Sequence, residues 1–193
     1  MTGVATGRTQ DSIGNGVTSS GTINVVIDNG MSAYYFDMSN SIMSDAEVNS
    51  KYTLIAIFRR LNPSENNGRF FTAHTGNRLF ASFSSFLGTW FAEEWITSAN
   101  QMNADSSFEF YIATNNDDMK NMWDVESNAQ IVTRSRAGHN VWGKTVIGRP
   151  ISAASHPSSA ASVYVYEVLV FDREIIKDER EGLIECFKQK YNF

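Results

Sequence analysis

The stretch VYVYEVLVF, Val163 to Phe171, constrains the fold more than any other part of the chain. Successive residues of a strand point to opposite faces. Strict alternation puts Val163, Val165, Glu167, Leu169 and Phe171 on one face. Tyr164, Tyr166, Val168 and Val170 then form the other. Both sets are apolar apart from Glu167, so the strand needs cover on two sides. KYTLIAIFRR has the same character: Leu54, Ala56 and Phe58 oppose Thr53, Ile55 and Ile57. A lone sheet with one wetted face accommodates neither strand, so the chain must build layers.

The residues after the strand suggest one such cover. In KDEREGLIECFKQKY, Leu183, Ile184, Phe187 and Tyr191 recur at helical spacing. Asp178 and Glu179 lie in the first turn, and Lys188 and Lys190 in the last, as the helix dipole favours. Cys186 flanks the apolar stripe and reads as a small hydrophobe. Glu167 on a buried strand needs partners, and we expect Glu167, Asp172, Arg173 and Arg180 to form a polar network at the strand–helix junction.

Ahead of this ending, short apolar runs recur at roughly ten-residue intervals with turn chemistry between them. They are TINVVID, SAYYFDM, KYTLIAIFRR, GRFFTAH, RLFASFSSF, SFEFYIAT, AQIVTRS and KTVIGR. TWFAEEWITSANQMNADSS mixes aromatics with polar residues and reads as irregular. Residues 1–21, rich in Gly, Ser, Thr and Asn, read as a flexible arm or linker, and residues 22–193 as one domain. The 193 residues are 42% apolar and 19% charged, enough for a single well-packed core. The expected fold is an all-β, two-sheet antiparallel jelly-roll sandwich with one C-terminal α-helix.

The run IGR…VYVYEVLVFDREIIKDEREGLIECFKQKY resembles the C-terminal signature of laminin-G-like domains, within the concanavalin A-like lectin/glucanase superfamily. MSAYYFDMSNSIMS and KYTLIAIFRR with GRFFTAH are similar to that family's earlier strands. Met38 stands where the family often has Gly, Ile176 where a Ser or Thr usually caps the helix, and the loop around His156 and Pro157 departs from the family pattern. The resemblance implies a concanavalin A-like sandwich. The positions that carry it are structural.

Several chemistries are disfavoured. A net charge of −5 without a Lys/Arg cluster argues against nucleic acid as a partner. No apolar run is long enough for a helical membrane span, so membrane insertion is not expected. No signal-peptide pattern is visible at the N-terminus. One cysteine permits neither an intrachain disulfide nor a paired-cysteine zinc site. His74, His139 and His156 lack metal-ligand spacing. Glucanases of the superfamily carry carboxylates spaced E-x-D-x-E on one strand face. Here MWDVE supplies Asp124 and Glu126 but Met122 in the first slot, and Glu93 and Glu94 are adjacent, so no catalytic residue is expected and the chain reads as a non-enzyme.

The remaining signals point to recognition. Tryptophan rings stack on sugars, and carboxylates and amides bind their hydroxyls. The expected ligand set is Trp90, Trp95 and Trp123 with Asn115, Asp117 and Asp118. Trp142 near a turn is a weaker case. NNDDM reads first as a solvated turn, and Ca2+ held by Asp117 and Asp118 is the alternative. The first functional expectation is a non-catalytic module binding a glycan or cell-surface receptor. The second is a structural or attachment domain of a virus or phage surface assembly, with homo-oligomerisation; a glycoside hydrolase is third. Each places the protein outside the cell, at a cell surface or on a virion.

Overall fold

The structure is a computed structural model that describes the chain except residues 1–2, 6–7, 11–15, 38, 63–67, 85, 93, 98–101, 104–106, 117, 127–128, 136–140, 150–160 and 193. In chain order the first strands are β1 (Gly3–Ala5), β2 (Arg8–Gln10), β3 (Gly16–Ser20), β4 (Ile23–Asp28), β5 (Met31–Phe36) and β6 (Ser41–Ser44). Then come β7 (Tyr52–Arg60), β8 (Phe71–Ala73), β9 (Arg78–Phe83), β10 (Phe86–Ala92) and β11 (Met102–Asn103). The last are β12 (Phe108–Asn115), β13 (Met119–Asp124), β14 (Ala129–Ser135), β15 (Thr145–Gly148) and β16 (Val163–Phe171), followed by α1 (Lys177–Tyr191).

The strands form two antiparallel sheets. Sheet A runs β1-β4-β5-β16-β7-β12-β13-β14, and sheet B runs β11-β10-β9-β8-β15-β6-β3-β2. The strands of buried two-faced character, β7 and β16, are central in sheet A and pair with each other. Leu54, Ala56 and Phe58 enter the core between the sheets with Trp90, Trp142, Phe71 and Phe80. Ile55 and Ile57 belong to a second cluster, where Phe187 and Tyr191 of α1 cover the outer face of sheet A. The molecule is therefore a two-sheet sandwich with the helix as a third layer on one side.

Strict alternation fails within β16. Pairing with β7 shifts register between Val165 and Glu167. This bulge inserts a residue, so the faces exchange: Val163, Val165, Val168 and Val170 share the inter-sheet core, and Tyr164, Tyr166, Leu169 and Phe171 face α1. Glu167 emerges at the helix end, where Lys190 Nζ donates to it and Tyr191 Oη donates at 3.0 Å.

The expected junction network is thus divided. Arg173 makes two 2.7 Å bonds to Glu179, and the Arg180 guanidinium lies 4.1 Å from the Trp123 ring centroid. Asp172 is exposed. Ile176 offers no capping side chain, but its backbone N–H donates to Glu179 Oε2 at 3.0 Å. Cys186 is exposed rather than packed, because the helix turns it away from the Phe187–Tyr191 stripe.

Other elements differ from the sequence reading. Phe86–Ala92, whose last four residues fall in the stretch read as irregular, and Met119–Asp124 are strands. Residues 1–21, read as an arm, contain β1, β2 and β3; β3 pairs with β6 from Val17 to Ser20. β1 and β2 are sheet edges and β3 lies next to one; strands there require no double-sided apolar pattern, which is why Gly, Ser and Thr signal a loop when read alone.

Candidate functional site

The aromatic residues of β9 and β10 divide between two faces. Trp90 and Ala92 point into the inter-sheet core. Phe91, between them, points to the outer face of sheet B and is half-buried. Trp95 forms an isolated antiparallel bridge with Phe91, which folds it back over this face. Its ring centroid lies 5.1 Å from that of Phe91 and 5.2 Å from that of Phe83. The Arg69 guanidinium extends the row, 5.0 Å from the Phe83 centroid.

Arg69 is held in place from one side. Its Nη1 donates to Asn77 Oδ1 at 2.8 Å, while its buried Nε has no partner. Burial pushes its guanidinium down to about 10, so it stays cationic at neutral pH. The result is a platform of three half-buried rings, with the buried Arg69, 6% exposed, and the half-buried Asn77 amide at one end. Such a surface combines apolar ring faces with hydrogen-bond donors.

The expected ligand residues do not converge. Trp90 is fully buried, edge-on to Tyr52 at 6.4 Å and Phe80 at 6.5 Å, so its ring is out of reach of a ligand. Trp142 is likewise buried, donating to Thr145 Oγ1 at 3.1 Å. Trp123 sits on the outer face of sheet A beneath Arg180. Asn115 is buried at the end of β12, and its Nδ2 donates to the Ser50 carbonyl. Asp118 is exposed in the β12–β13 turn, where its N–H donates to Asn116 Oδ1 at 2.9 Å. Asp117 lies outside the described residues. Of the five that are described, Trp95 alone stands on the platform.

Sequence reasoning missed Phe83, Phe91 and Arg69. The alternation Trp90-in, Phe91-out was the available signal, and it became readable only once Phe86–Ala92 was a strand. Of the carboxylates considered for hydrolysis, Glu93 lies outside the described residues, Glu94 directly precedes Trp95, and Asp124 and Glu126 lie at and just beyond the end of β13. Asp124 is 7% exposed and accepts the Glu126 N–H at 3.1 Å. It sits opposite Tyr111, whose hydroxyl donates to Glu109 at 2.6 Å. Burial first, and Glu109 next, push that phenol up. Among the described residues no group of three or more His, Cys, Asp and Glu is placed to hold a metal ion.

Two antiparallel sheets in this order, with one C-terminal helix, define a concanavalin A-like β-sandwich. No protein-family model and no curated protein matches the sequence. Solved structures do. Domain 4 of AbnA, a GH43 extracellular arabinanase from Geobacillus stearothermophilus solved with arabinotriose, aligns over 87% of both chains with TM-score 0.63 and 8% identity. The botulinum neurotoxin serotype C1 binding domain aligns over 91% of this chain and 48% of its own, with TM-score 0.61 and 11% identity. A GH54 α-L-arabinofuranosidase aligns over 92% and 49%, with TM-score 0.53 and 12% identity. The chain thus spans about half the length of the toxin and arabinofuranosidase chains. At these identities the likeness is one of fold.

Proposed function

We propose that this chain is a non-catalytic recognition module that binds glycan on the outer face of sheet B. The observation that carries the reading is the Phe91–Trp95–Phe83 row ending on Arg69. The apolar C–H faces of a sugar stack on the half-buried Trp95 ring, while the half-buried Asn77 amide, its Oδ1 held by Arg69, donates to ring hydroxyls. The arabinotriose bound to the AbnA domain, which shares this fold, supports the same class of ligand. An extracellular or cell-surface location accords with it. The described residues of the row are rings, a guanidinium and an amide.

A glycan array read with wild type and Trp95→Ala, with and without chelator, tests this. We expect binding that survives chelation and is lost in Trp95→Ala. Absence of binding to any sugar, or binding indifferent to Trp95, refutes the proposal.

A further inference from the structure

β16 is paired along its whole length on one side only. β7 pairs with it from Val163 to Phe171, whereas β5 pairs with Val163, Tyr164 and Val165 alone. At the tip of the β4–β5 hairpin, Asp28 accepts hydrogen bonds from Arg59 and from the Tyr166 hydroxyl. Ala33, Val26 and Met31 lie in the helix-side cluster. From Glu167 to Phe171 the second edge of β16 faces no strand among the described residues, and all five positions are partly exposed.

Beside that edge the two sheets part. A cleft of about 550 Å³ opens between β16 and the β3–β6 pair, walled by Val17, Ile42, Val168 and Val170. Among the described residues, Glu47 and Asp172 are the charged groups of its lining. An open strand edge offers a row of N–H and C=O groups to another strand. A small apolar ligand would fill the cleft but leave that row unpaired; an extended polypeptide satisfies both.

We propose that this edge and cleft dock an extended segment of a partner protein. The segment pairs with Val168–Phe171, places alternate apolar side chains between the sheets and brings a Lys or Arg to Glu47 and Asp172. The platform lies on β9 and β10, at the other end of sheet B from β3, so this site is independent of the glycan reading.

A phage-displayed library of random peptides, selected on the full chain, tests it. Enriched sequences should alternate apolar residues and carry a basic residue. A synthesised winner should slow amide hydrogen exchange within Val168–Phe171. Glu47→Lys with Asp172→Lys, a surface change that leaves the fold intact, should weaken it ~10-fold or more. Glycan binding should not change. Failure to enrich alternating sequences, protection elsewhere in the chain, or indifference to the charge reversal each overturns the proposal.

Discussion

Replacing Phe187 with alanine should destabilise the whole sandwich rather than loosen only its last helix. Phe187 is 6% exposed and meets Phe110 edge-on, with ring centroids 5.6 Å apart at 82°. Burying a phenylalanine side chain contributes ~1.5–3 kcal/mol, and an edge-to-face pair adds ~0.5–1.5 kcal/mol. Leu183 and Ile184 beside it are only partly buried and can move into the space. The expected loss is therefore about 3 kcal/mol, near the lower end of the range for core Phe→Ala changes. Phe187→Leu keeps most of the volume and should lose about 1 kcal/mol. Urea unfolding followed by far-UV circular dichroism and by tryptophan fluorescence measures this. Trp123, under Arg180 of the helix, reports helix docking, while Trp90 and Trp142 report the inter-sheet core. Both signals should shift together, with an unchanged slope. A loss below ~1 kcal/mol, or a helix transition that precedes the core transition, would show that α1 is no integral layer of the fold.

Further outcomes are equally specific. Trp95→Ala should leave stability within ~1.5 kcal/mol, whereas Trp90→Ala should lose ~3–5 kcal/mol, both by urea melting; equal effects would contradict the assigned faces. Gly148→Ala should destabilise by ~2–4 kcal/mol, since a Cβ there at φ +90° would lie 2.5 Å from Phe36 Cδ1 and 2.6 Å from the Asn40 carbonyl oxygen. The two Arg173 hydrogen bonds, then the Ile176 N–H, hold the Glu179 carboxyl down to about 2. Its folded value lies below the ordinary ~4.3, so its stabilisation is complete above that pH and fades as pH falls toward 2. Thermal melts of wild type and Glu179→Gln should therefore converge between pH 4.5 and 2, by about the last unit; a gap that persists in acid would refute the assignment.

The sequence by itself determined which strands are central and that a helix follows the last of them. KYTLIAIFRR and VYVYEVLVF are apolar on both faces, and burial on two sides is a property of composition at fixed spacing. The stripe Leu183, Ile184, Phe187, Tyr191 likewise carries its own period. Where an element lies at or next to a sheet edge and is rich in Gly, Ser and Thr, that signal thins out, so β1, β2 and β3 read as an arm. Tertiary structure alone decided how β16 is faced. A single bulge between Val165 and Glu167 exchanges its two sides and hands Glu167 to Lys190, while β5 pairs only ahead of it. It also decided the site. Trp90 and Trp95 look alike as residues in a sequence, but strand alternation buries one and a short bridge to Phe91 turns the other outward. Phe83 meets Trp95, and Arg69 meets Phe83 across 14 positions of chain, a proximity set by the β8–β9 pairing rather than by any local pattern.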